Sequence, residues 1–119
     1  MNPFAFITGA TSGIGLATAK ALAASHYDLV LAARNTENGV KVTTYPLDVQ
    51  DREAIKEVTT KVLDAFGAPD VLVNDAGLAR GLEPYQDTAP EDTMEMIDTN
   101  IKGLFLVTRA FLPAMVKRN

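Results

Sequence analysis

Residues 8 to 15 read Thr-Gly-Ala-Thr-Ser-Gly-Ile-Gly, directly after the apolar stretch Pro3-Phe-Ala-Phe-Ile7. Glycines at 9, 13 and 15 allow a backbone to turn sharply out of a strand and to approach a ligand closely. A helix opening at such a turn aims its unpaired amides and positive dipole end at an anion, so the chemistry suited to this stretch is the holding of a phosphate or pyrophosphate. The order G-x-x-x-G-x-G differs from G-x-G-x-x-G and makes a wider turn. Strand-to-helix turns also use glycine for steric reasons alone, so the cluster needs companions before it means a ligand. Other reactive groups are sparse. The chain has no cysteine, which excludes disulfides, thiolate metal sites and cysteine nucleophiles. The lone histidine, His26, falls at a helix end and reads as a surface residue. Carboxylates are numerous, but no isolated pair stands out from solvated helix faces and no metal site is expected.

The elements around the glycines alternate in type. Phe4 to Thr8 reads as a buried strand and Gly13 to Ser25 as a helix with an alanine-rich face. At the end of that helix Ser25-His26-Tyr27 stands where a left-handed Gly or Asn is the usual choice. Leu29 to Ala33 is a continuous apolar strand of the kind buried on both faces of a parallel sheet, and Val42 to Leu47 is a third strand. Asp51 to Phe66 has Ile55, Val58, Val62 and Phe66 on one helical face. Val71 to Val73 is a fourth strand, and Thr88-Ala-Pro-Glu91 has the pattern of a capping box. Helical sequence then runs almost to Asn119, with a break near Asn100 and a kink expected at Pro113.

This order implies one domain over residues 1–119, an α/β, Rossmann-like, doubly wound and mainly parallel sheet. Right-handed crossovers give the strand order 3-2-1-4, with the chain ending before a fifth strand. The direction of strand three is open. Seven residues, Arg34 to Val40, are too few for a crossover helix, and Asn38-Gly39 is a hairpin signal that would make the strand antiparallel. An extended link would keep it parallel and set Asp48 on the same sheet edge as the glycines.

Four motifs in order, TGATSGIG at 8–15, LDV at 47–49, VNDAG at 73–77 and NIKG at 100–103, resemble the short-chain dehydrogenase/reductase family, and the likeness covers essentially the whole chain as that family's N-terminal half. The resemblance implies that Thr8, Gly9, Thr11, Ser12, Gly13, Ile14 and Gly15 wrap a cofactor pyrophosphate. It implies that Asp48 accepts from the adenine amino group with Val49 flanking it, and that Asn74, Ala76 and Gly77 shape the strand end beside the cofactor ribose. Asn100 matches the asparagine that breaks its helix and orders a water in the family's proton relay. Each has a plainer reading: Asp48 caps a turn, Asn74 satisfies strand-edge amides, and Asn100 tolerates a helix bend. Cofactor choice follows from charge. Arg34, just past strand two, suits a ribose 2′-phosphate, so NADP(H) is preferred, with NAD(H) the alternative and a solvated arginine the competing explanation.

Three departures qualify the resemblance. Asp75 stands where the family usually has a second asparagine, and most of the second helix after Arg34 is lacking. The family's proton transfer needs a tyrosine with a lysine four residues on, yet Tyr27, Tyr45 and Tyr85 are followed at that spacing by Leu31, Val49 and Ala89. The expectation is a cofactor-binding portion of an oxidoreductase that does not turn over by itself. The alternatives are a noncatalytic dinucleotide-binding or assembly protein, or an engineered or truncated minimal scaffold.

The net charge of −4 gives no basic face for nucleic acid or an anionic membrane, so a small-molecule cofactor is the expected partner. Without a signal-like start or a run long enough to cross a bilayer, a cytoplasmic location is expected. The apolar residues of helix 103–117 lead us to expect a homo-oligomer, or pairing with a C-terminal portion outside this chain.

Overall fold

The computed structural model describes residues 2–33 and 43–118. Four strands, β1 (Phe4–Thr8), β2 (Asp28–Ala33), β3 (Thr43–Pro46) and β4 (Val71–Asn74), form one sheet in the order β3-β2-β1-β4. All three pairings are parallel. The antiparallel alternative for β3 is thereby excluded; the Asn38-Gly39 turn signal and Arg34 lie outside the described residues.

Period-two alternation assigns the two faces of the sheet. Phe4, Phe6, Val30 and Ala32 face one side and meet Ile55, Val58 and Val62 of α2 (Arg52–Phe66) and Val107 and Phe111 of α4 (Leu104–Arg118). Ala5, Ile7, Leu29 and Leu31 face the other side and meet Ala19 of α1 (Gly13–Ala24). Every residue of β1 is buried, as a central strand covered on both faces must be. The Phe6 and Phe111 rings pack with centroids 4.4 Å apart, which seats α4 against the middle of the sheet.

Local chemistry sets the helix ends. Asp51 caps α2 by accepting from the Ala54 amide at 3.1 Å. Of the four residues expected on the buried face of α2, Ile55, Val58 and Val62 are buried. Phe66 is exposed at the helix end, with its ring 5.8 Å from that of Phe4. At the end of α1, His26 takes the left-handed conformation with φ 66°. Its amide donates to Ala23 and that of Tyr27 to Leu22, the paired bonds of a Schellman ending, so a histidine fills the place usually held by glycine.

The capping box expected at Thr88 and Glu91 does not form. α3 (Pro90–Ile97) starts one residue later, with Ala89 at the cap and Pro90 in the first turn, where its missing N–H is not needed. The Thr88 hydroxyl instead donates to the Pro84 carbonyl at 3.4 Å. Between α3 and α4 the chain widens into a π turn over Asp98–Gly103, which contains the break expected near Asn100. α4 continues through Pro113 to Arg118. Pro113 and the carbonyl-bearing Arg109 one turn earlier are both exposed, so water can serve the acceptor the proline leaves free. Among the described residues no helix is long and apolar enough to cross a membrane.

Candidate functional site

Parallel register carries three chain segments out of the sheet at one edge. Thr8 pairs with Ala32 and with Asn74, and Ala33 with Pro46, so the residues following β1, β3 and β4 emerge side by side. The chain leaves β1 toward β2 on one side and reaches β4 on the other, which makes the β1–β4 boundary the point where strand order reverses.

The glycine turn is closed from beneath by Thr8. Its buried Oγ1 accepts from the amides of Asp75 and Ala76, both at 3.1 Å, and joins the start of the turn to the exit of β4. Gly9 has φ 66°, and a Cβ there would lie 2.5 Å from the Asp75 carbonyl oxygen, so both conformation and space require glycine. A Cβ on Gly15 would collide with the Gly9 carbonyl oxygen and lie 2.6 Å from Asp75 Oδ2. Ser12 stands at the cap of α1 with extended backbone and no side-chain capping bond, and the first turn of α1 holds no acidic residue. The amide end of α1 is therefore not neutralised by the cap residue's own side chain or by a first-turn carboxylate.

A cleft of about 560 Å³ opens above this turn, within the range of small-molecule sites. Gly9, Thr11, Ser12, Gly13 and Ile14 line it from the turn, Asp48 and Val49 from the β3 exit, and Ala76 and Gly77 from the β4 exit. Ile14 is an apolar side chain left 76% exposed at its rim. Asp48 Oδ1 accepts from the Gln50 amide at 3.0 Å, so Asp48 caps its own turn while facing the cleft.

Other expected site residues support the cleft from behind. Asn74 Nδ2 donates to Thr108 Oγ1 at 2.9 Å, tying β4 to α4. Asn100 accepts from the Leu78 amide through Oδ1 and donates to the Leu78 carbonyl through Nδ2, each at 2.8 Å, and so holds the segment after β4 against the π turn. Arg34 lies outside the described residues.

Sequence reasoning missed Thr99, which is buried and lines the same cleft. Its neighbour Asn100 drew attention through a motif, whereas the burial of Thr99 depends on how the π turn packs. Gly103 shows that packing: a Cβ there would come within 2.6 Å of Val49 Cγ2.

The family model described as short chain dehydrogenase matches residues 3–119. The chain belongs to the short-chain dehydrogenase family. The chain is 41% identical over 127 residues to sulfoacetaldehyde reductase 2 of Chromohalobacter salexigens, a match covering 98% of the chain and 50% of the relative. It is 42% identical over 121 residues to the NADP-dependent 3-hydroxy acid dehydrogenase YdfG of Salmonella typhi, covering 95% of the chain and 49% of the relative. Among solved structures it is similar to an alcohol dehydrogenase from the archaeon Thermococcus sibiricus complexed with 5-hydroxy-NADP, with a TM-score of 0.89 and 36% identity over 98% of this chain and 55% of that one. The chain thus spans about half the length of the curated relatives it matches.

Proposed function

We propose that this chain is the cofactor-binding portion of a dehydrogenase or reductase acting between carbonyl and alcohol, and that it holds NADP(H) in preference to NAD(H). The observation that carries this reading is the cleft at the β1–β4 switch point, where the glycine turn, the Asp48 turn and the β4 exit converge. The residues fit such a ligand. Cβ atoms at Gly9 and Gly15 would fill the close approach of the turn to the β4 exit, and the amide end of α1 suits a pyrophosphate. The NADP dependence in the name of the YdfG relative and the 5-hydroxy-NADP in the Thermococcus sibiricus structure support the choice of cofactor.

In this reading the turn from Thr11 to Gly15 holds the pyrophosphate, Asp48 accepts from the adenine amino group beside Val49, and Ala76 and Gly77 border the ribose. Thr8 and Asn74 keep the β4 exit in place, Asn100 stands at the family's relay position, and Arg34 supplies the cation for a 2′-phosphate. The chemistry supplied by a bound nicotinamide cofactor is hydride exchange with a carbonyl or alcohol. No tyrosine of this chain has a lysine four residues on to tune a proton donor, so the chain alone binds without family-like turnover. The apolar stripe of α4 is covered by a second copy, or by the portion that the longer relatives possess.

Calorimetric titration of the wild type and Arg34→Ala with NADPH and NADH tests the reading. Loss of the cation should weaken NADPH by about tenfold and leave NADH nearly unchanged. Equal losses would remove the phosphate role of Arg34, and absence of binding by either cofactor would overturn the site. In the same preparation, a clear carbonyl-dependent oxidation of NADPH by this chain would overturn the separation of binding from turnover.

A further inference from the structure

Arg52, Lys56 and Arg109 stand where local electrostatics disfavours them. Arg52 opens α2, at the end of the helix where the dipole opposes positive charge. Lys56 follows four residues later, so two like charges share one row of the helix. Arg109 of α4 lines the same groove between the two helices, and all three residues are exposed. No carboxylate offsets them. The ion pairs among the described residues are Arg80–Glu95, Lys102–Asp98 and Arg118–Asp70, and Glu53, the acid that lines the groove beside these cations, forms none. The chain as a whole carries −4, so this gathering of positive charge is local. Sequences break local rules of this kind chiefly where a site requires it.

The groove has a volume of about 420 Å³, within the range of small-molecule sites, and shares no lining residue with the cofactor cleft. Its floor is largely apolar: Ile55 is buried, and Leu106 and Ala110 are half-buried. Two hydroxyls in the wall are already committed, since Thr59 donates to the Ile55 carbonyl at 2.7 Å and Thr60 to the Lys56 carbonyl at 2.9 Å. The donors left to meet a ligand are therefore the three cationic heads, whose aliphatic stems extend the apolar surface. A neutral apolar ligand would leave the cations unpaired, and a bare inorganic anion would leave the floor uncovered. We infer that the groove between α2 and α4 is a second binding site, for a small amphiphilic anion of the medium-chain carboxylate type. Its apolar body lies on Ile55, Leu106 and Ala110, and its charged head is held by Arg52, Lys56 and Arg109. This site stands independently of the cofactor reading.

Titration of the intact chain with octanoate, followed by backbone amide NMR shifts, tests the inference. Saturable shifts should gather at residues 52–60 and 104–111 and leave the glycine turn at 8–15 unmoved. The double variant Arg52→Gln, Arg109→Gln should weaken octanoate by about tenfold or more, the loss of two charge-assisted contacts. Acetate, which has the charge without the body, and octanol, which has the body without the charge, should each bind wild type about tenfold more weakly than octanoate. In the absence of ligand the double variant should melt at or above the wild-type midpoint, because like-charge repulsion is relieved. Equal octanoate affinities of wild type and double variant, shifts confined to the glycine turn, or no saturable shift at all would overturn the site. Octanol as tight as octanoate would remove the role of the cations, and acetate as tight would remove that of the floor; either sinks the amphiphile assignment. A lowered midpoint in the ligand-free variant would mean that the fold already satisfies these charges, and the inference would fail.

Discussion

Asp75 lies at the crossing of the glycine turn and the β4 exit, with Oδ2 2.6 Å from where a Cβ on Gly15 would sit. The short-chain dehydrogenase family resemblance gives an asparagine here, so the fold tolerates the carboxylate at a position that also lines the cleft. A pyrophosphate on the same turn would place like charge beside it. At separations of several ångströms in a half-wet cleft that repulsion amounts to about 1 kcal/mol. Asp75→Asn should therefore tighten NADPH binding about fivefold at low ionic strength, with the gain shrinking as salt is added. Calorimetry across a salt series checks this, and an unchanged or weaker complex in the Asn variant would show that the carboxylate does not oppose the ligand. At this scale the glycines and Asp48 were legible because each sits in a short motif whose spacing is local. Thr99 was not, because an ordinary threonine becomes a site residue only through the burial that the fold imposes on it.

Among the elements, Asp70 joins three that are distant in sequence. Its Oδ2 accepts from the Phe4 amide at 2.8 Å where β1 begins, and its Oδ1 accepts from Arg118 at the end of α4. Arg118 also donates to the Ala68 carbonyl at 2.9 Å. The Phe4 amide chiefly, and then the Arg118 guanidinium, hold the Asp70 carboxyl below its ordinary value of 3.8 despite an opposing effect of burial. A depressed folded-state pKa contributes stability above the unfolded value, and that contribution is lost as the pH falls through the lower folded value. Asp70→Asn should cost about 1 kcal/mol at neutral pH, modest because water screens the pair, and the gap from wild type should close as the pH drops below the ordinary carboxylate range. Urea unfolding along a pH series measures it, and a gap independent of pH would rule out this origin. Element types were readable from periodicity, and so was the place where α1 ends, but the cap of α3 was not. The Thr88 hydroxyl went to Pro84 rather than to α3, and His26 took a left-handed conformation that glycine would adopt at less cost.

The molecule as a whole is extended, with a radius of gyration of 15.1 Å where about 13.5 Å is typical of this length. Along the π turn and α4, Ile101, Phe105, Leu112 and Val116 are exposed at helical spacings of four, seven and four, which align them on one stripe. Such a stripe is a liability in water unless something covers it. Sedimentation velocity over a micromolar range should show self-association of the wild type that is abolished in the double variant Phe105→Glu, Val116→Lys; a wild type that stays monomeric throughout would remove the second copy as its cover. Amino-acid sequence by itself determined the element types, the strand order and the family, because glycine spacing, apolar periodicity and ordered motifs are short-range properties that survive without knowledge of packing. Tertiary structure alone decided that β3 runs parallel and so brings Asp48 to the glycine edge. It also decided that Asn100 is spent on Leu78 and that Thr99 is buried in the cleft without a partner among the described residues. These outcomes depend on which backbone groups and side chains meet across the folded sheet, and residues that meet there are far apart along the chain.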